Sequence, residues 1–178
     1  CAVAAPKTQG DEPIDARWLK ANYTKSEYMI PMRDGVKLYT AVYTPKDKRE
    51  KHPILMQRTP YSHSPYGKKN SNIWRNKANE NYLRAGYILV FQDSRGRWMS
   101  EGDFINVPPY IANKAGTKAI DEASDTYDTV EWLLRKVKNH NGRVGVYGNS
   151  YCGYYSLMAA ASGHPAIVAV SPQAPMVD

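Results

Sequence analysis

Gly148-Asn149-Ser150-Tyr151-Cys152-Gly153 sets a serine between glycines, directly after a short apolar run (143–147) and before a helix-forming one from Tyr151 to about Ser162. A strand that turns sharply into a helix lifts a serine Oγ above the sheet, and the first N–H groups of the new helix face the same space. A nucleophile beside an anion-stabilising helix end is the equipment of acyl transfer. Ser150 is therefore the candidate nucleophile, and the backbone N–H of Tyr151 is the candidate for one oxyanion donor. The plainer reading of Ser150 is a helix N-cap that satisfies backbone donors and nothing more. The second glycine stands three residues after the serine, and Cys152 occupies the place two residues after it where a glycine is usual. Cys152 reads either as a thiol nucleophile near a helix N-terminus or as a small packing residue, and the second reading is preferred.

Tyr61 follows Arg58-Thr59-Pro60 at the end of an apolar run. A phenol there is placed to donate to a developing oxyanion, or simply to pack in a proline turn. Asp93 could serve as a triad acid, but a carboxylate preceding Arg95 and Arg97 is more often an ion-pair partner. A general base must reach Ser150 Oγ. His52, His140 and His164 precede strands and so stand at the wrong edge of the sheet, whereas His63, in a loop near Tyr61, stays a candidate. In the order serine, acid, histidine, both partners follow the nucleophile. Too few residues follow Ser150 to supply them, so the chain is expected to stop short of a complete triad.

The elements that must position these groups follow from periodicity. Tyr28, Ile30 and Met32 share one face, Asp34-Gly35 turns, and Val36, Leu38, Thr40 and Val42 share a face on the return, which predicts a hairpin. A third strand spans 53–58. Trp74, Ala78 and Tyr82 recur at helical spacing, with Gly86 as the C-cap. Residues 87–92 are almost wholly apolar, as in a strand buried on both faces, and a long loop from Asp93 to about Ile120 follows. Asp121, Glu122 and Asp125 load the first turn of a helix with charge that suits its dipole. Ala123, Tyr127, Val130, Leu134 and Val137 form its apolar face. A helix buried on all sides around 157–161 and a further buried strand at 166–170 complete the order. The expected architecture is an α/β open sheet in which Arg58–Tyr61, Asp93–Arg97 and Ser150 share the carboxyl edge, where ligands gather.

With 178 residues, 42% of them hydrophobic and 23% charged, the chain suits one globular domain with a sizeable core. Its net charge of +7 is scattered and not interleaved with stacking aromatics, which argues against nucleic acid as a partner. Fourteen tyrosines and four tryptophans against two phenylalanines suit the walls of a polar-ligand pocket, and packing explains them equally well. Cys1 and Cys152 do not read as a disulfide. The start Cys-Ala-Val-Ala-Ala-Pro reads either as a mature bacterial lipoprotein, anchored through Cys1 at the outer membrane or otherwise periplasmic, or as a fragment boundary. Residues 1–22 are expected to be a tether, with room for a helical turn around 14–20. The sequence calls for no cofactor and no metal.

Four blocks together resemble the signatures of the X-Pro dipeptidyl peptidase/cocaine esterase-like (CocE/NonD) serine hydrolases. They are Arg58-Thr59-Pro60-Tyr61, the run from Gln92 to Gly102, the run from Asp125 to Leu133, and Gly148-Asn149-Ser150-Tyr151-Cys152-Gly153. Within that group, the hairpin 30–38 and the loop bearing Trp98 look most like α-amino-acid ester hydrolases and glutaryl-cephalosporin acylases. The serine motif of the family is Gly-x-Ser-Tyr-x-Gly, so the displaced glycine is its normal form. The resemblance, over roughly 23–178, implies the N-terminal part of an α/β-hydrolase catalytic domain. It implies Ser150 as nucleophile, with the Tyr151 N–H and the Tyr61 hydroxyl as oxyanion donors. The triad acid and base, a helical cap, a C-terminal jelly-roll domain and an amine-binding carboxylate cluster are implied downstream. The implied substrate is a small ester, amide or short peptide. An X-Pro dipeptidyl peptidase and a non-catalytic binding domain of the same fold remain alternatives, and a homo-oligomer is left open.

Overall fold

The computed structural model describes residues 13–70, 77–112 and 119–177. Cys1, with its lipid-anchor reading, and Trp74 lie outside the described residues. The elements are α1 (Ala16–Asn22), β1 (Tyr23–Pro31), β2 (Lys37–Pro45), β3 (His52–Thr59), α2 (Lys77–Arg84), β4 (Ile88–Asp93), α3 (Glu122–Lys136), β5 (His140–Asn149), α4 (Tyr151–Ala161) and β6 (Ile167–Gln173). The strands form one six-stranded sheet in the order β1-β2-β4-β3-β5-β6. The hairpin β1–β2 and the β2–β4 pair are antiparallel, and β4–β3, β3–β5 and β5–β6 are parallel.

The hairpin has the expected turn, with Gly35 at a φ of 90° that a glycine adopts without strain. Its faces differ from a half-buried hairpin. Leu38 and Val42 of β2 enter one core with Ile30, Met32, Ile54, Val90, Val130 and Leu133. Tyr39, Ala41 and Tyr43, on the opposite face, enter a second core with Leu19, Leu83, Leu89 and Phe91. Strict alternation in the sequence thus conceals a strand covered on both sides. The helical turn expected within the tether is α1, and its Leu19 enters this second core, so the segment is packed and not a free tether. The helix is capped by Asp15, whose side chain accepts from the Trp18 N–H.

Gly86 ends α2 as expected, at φ 74°, with its own N–H donating to Leu83 and that of Tyr87 to Tyr82. Two departures from expectation matter. The first turn of α3 is buried, Glu122 and Asp125 included, so its carboxylates need partners rather than solvent. And β6 is an edge strand with Val168 and Val170 exposed, not a buried one. Its hydrophobicity matches a face that nothing among the described residues covers.

Candidate active site

The parallel strands β4, β3 and β5 end side by side. Thr59 is in register with Asp93, and the Ser94 N–H donates to the Thr59 carbonyl. The loops carrying Tyr61, Arg97 and Ser150 therefore leave the sheet at one edge. The rings of Tyr61 and Tyr151 meet edge to face, with centroids 6.2 Å apart.

Ser150 stands between β5 and α4 at φ 56°, ψ −119°, a conformation a non-glycine residue holds only under strain. Its side chain makes no capping hydrogen bond, so the plain N-cap reading fails. The turn is braced from β6. The Ser150 N–H donates to Gln173 O at 2.9 Å, and the Met176 N–H donates to Ser150 O at 3.3 Å. Both glycines of the motif are spatial necessities. A Cβ on Gly148 would fall 2.1 Å from Cys152 O, and one on Gly153 would fall 2.7 Å from Gln173 O. The position of the second glycine is thus set by where β6 ends.

Cys152 is buried and free, and burial pushes its thiol up, against a smaller opposing pull from Thr59. A thiolate is disfavoured there, which supports the packing role. Cys152→Ala is expected to leave reactivity at Ser150 unchanged, and peptide mapping after alkylation of the native protein should find Cys152 unmodified. Rapid alkylation of Cys152 would restore its claim as a nucleophile.

The side chain of Tyr151 does more than pack. Its hydroxyl accepts from the Val107 N–H at 2.8 Å and donates to Asn106 Oδ1 at 3.1 Å, while the Tyr154 hydroxyl donates to Pro108 O. The loop at 104–108 is thereby strapped across the start of α4. Tyr61 lies in the open, 61% exposed, with its backbone N–H donating to Thr59 Oγ1.

Asp93 has no ion-pair partner among the described residues. It is buried and accepts from the Tyr66 hydroxyl and the backbone N–H groups of His63 and Met99, and burial pushes its carboxyl up. Arg95 pairs instead with Asp34 and Asp125, at 2.7 Å each. The expected pairing fails because Asp93 ends a central strand and its carboxylate organises the loops on either side of it.

His63 is no base in this arrangement. Its ring packs 4.9 Å from that of Phe91, and burial pushes it down to about 3, far below what proton abstraction near neutrality needs. The other histidines are engaged elsewhere: His52 with Asp47 O, His140 with Leu134 O, and His164 with Glu131.

Sequence reasoning missed the polar network beneath the site. Arg58, fully buried, donates to Gln92 Oε1 at 2.7 Å, Glu122 O at 2.9 Å and Thr126 Oγ1 at 3.0 Å. Its Nη2 lies 2.9 Å from Glu122 Oε2, and its guanidinium 5.2 Å from the Tyr155 ring centroid. Gln92 passes the network on to Thr40 and Thr129. The available signal was an arginine within the apolar run 53–58 and acidic residues on the inner side of α3.

The family model of the X-Pro dipeptidyl-peptidases (S15 family) matches residues 34–178. The chain belongs to that family. A cocaine esterase from Rhodococcus sp. (strain MB1 Bresler) is 34% identical over 160 residues, which cover 88% of this S15-family chain and 25% of that relative. Among solved structures, an aminopeptidase from a marine sediment Thaumarchaeota archaeon is 36% identical with a TM-score of 0.77, over 98% of this chain and 29% of its own. An α-amino-acid ester hydrolase is 36% identical with a TM-score of 0.76, over 100% and 29%. These likenesses establish the CocE/NonD-like kinship and the α/β-hydrolase fold. The S15-family chain spans about a quarter of the length of the curated relative it matches.

Proposed function

We propose that this chain carries the nucleophile and the oxyanion-stabilising groups of a serine hydrolase that cleaves esters or amides of acyl or α-aminoacyl groups. The observation that carries the reading is Ser150 itself, held at a strained strand-to-helix turn with its hydroxyl making no capping hydrogen bond. Ser150 Oγ attacks the substrate carbonyl carbon and passes its proton to a general base. The carbonyl oxygen becomes an oxyanion that accepts hydrogen bonds from the Tyr151 N–H and the Tyr61 hydroxyl. Collapse of the tetrahedral intermediate expels the alcohol or amine, and water then releases the acyl group from Ser150. None of the four histidines is bonded to Ser150 among the described residues, so the base and its acid are assigned to parts of a longer protein outside them. By itself the chain is expected to be inactive.

Removal of one oxyanion donor costs about 2.7–4 kcal/mol of transition-state stabilisation, or on the order of 10²–10³ in kcat. Tyr61→Phe in the full-length protein should therefore lower kcat by that factor with little change in KM, measured by steady-state ester hydrolysis. Wild-type turnover would remove Tyr61 from the mechanism. The family description favours a second reading, an X-Pro dipeptidyl peptidase. Hydrolysis of X-Pro anilides in preference to amino-acid esters would select it.

A further inference from the structure

Two side-chain donors beside the site meet at a single atom. Arg97 Nε and Trp98 Nε1 both donate to the Pro60 carbonyl, at 3.1 and 2.9 Å. That carbonyl belongs to the same peptide group as the Tyr61 N–H, which donates to Thr59 Oγ1 at 3.1 Å. Both lone pairs of the oxygen and the one N–H are thus engaged, and the plane that launches the Tyr61 side chain is held from both sides.

The cost of the arrangement is visible at Trp98. It is 60% exposed and sits at φ 51°, the left-handed region that aromatic residues avoid. A tryptophan so placed contributes little apolar burial, and its indole N–H is the group the fold uses. Arg97 is steered by ring faces, 5.0 Å from Phe104 and 6.0 Å from Trp98. The loop beneath them is stiff. The Gly96 N–H donates to Glu101 O, the Ser100 N–H to Arg97 O and Ser100 Oγ to Asp93 O. Gly96 is packed so closely that a Cβ would stand 2.1 Å from Phe104 N.

We infer that Arg97 and Trp98 are positioning residues that aim the Tyr61 hydroxyl by fixing the Pro60–Tyr61 peptide plane. The inference rests on the reading of Tyr61 as an oxyanion donor. It places the specificity of that donor's aim in the loop after β4, not in the loop that carries it.

A double-mutant cycle in the full-length protein tests it. Trp98→Phe keeps an aromatic side chain and deletes the indole N–H. It is expected to lower kcat roughly tenfold with KM nearly unchanged, since small misplacements of catalytic groups are felt mainly in the transition state. Adding Arg97→Gln should deepen the loss. In a Tyr61→Phe background, neither change should lower kcat further, because there is no hydroxyl left to aim. Equal losses in both backgrounds, or wild-type kcat in the Arg97→Gln/Trp98→Phe protein, would overturn the inference while leaving the function reading intact. Wild-type kcat in Tyr61→Phe alone removes the oxyanion reading and the inference with it.

Discussion

Ser150→Ala in the full-length protein is expected to lower turnover by on the order of a million-fold, the loss typical of deleting the serine of a triad that acts as a unit. Labelling of the wild-type protein by a fluorophosphonate should vanish in the same variant. The fold should survive, because Ser150 Oγ makes no capping bond and alanine meets the same backbone strain at φ 56°. Loss of activity at an unchanged melting temperature therefore separates chemistry from structure. A wild-type protein that takes no fluorophosphonate would point to a binding domain that keeps the fold. Labelling that persists in Ser150→Ala would move the nucleophile to another residue.

The largest loss of stability is expected from Arg58→Ala. Arg58 is fully buried and neutralises Glu122 at 2.9 Å, with Asp125 at 3.7 Å. Breaking a buried ion pair by deleting one partner typically costs about 3–5 kcal/mol, because the other charge stays behind unpaired. Burial already pushes the Glu122 carboxyl above its ordinary value, and Arg58 is the chief influence pulling it back. In the variant this carboxyl should rise further and take up a proton on folding. A folded-state pKa above the unfolded one stabilises the fold at low pH, and that stabilisation is lost as pH rises through the folded value. The deficit of Arg58→Ala relative to wild type should accordingly shrink as pH falls from neutrality toward 5. Paired thermal melts across that range measure it. A loss below about 1 kcal/mol, or one that grows in acid, would show that Arg58 does not carry this burden.

Much of the site was legible because its parts are local. The strand-to-helix turn at Ser150 announces itself in consecutive residues, and its flanking glycines are required by the approach of Cys152 and Gln173. The convergence of the Tyr61, Arg97 and Ser150 loops followed from strand order alone, since parallel strands present their carboxyl ends together. The failures share a cause. Asp93 next to Arg95 and Arg97, and Glu122 at a helix start, were read against their neighbours in sequence, whereas their burial and their partners are set across the sheet. Likewise His63 looked available as a base because proximity in sequence says nothing of the Phe91 ring against which it is buried. Arg58 could be seen as unusual in an apolar strand, but not which carboxylate it met.

The brace from β6 has a consequence for the order in which the site comes into being. Ser150 is synthesised before Gln173 and Met176, yet its backbone is held by both. During translation the serine motif emerges complete in composition while lacking the contacts that fix its strained turn. The strained turn that presents Ser150 is therefore held in place only when the edge strand has paired with β5. The nascent polypeptide carries the motif before it carries the geometry, which the closing of the sheet supplies.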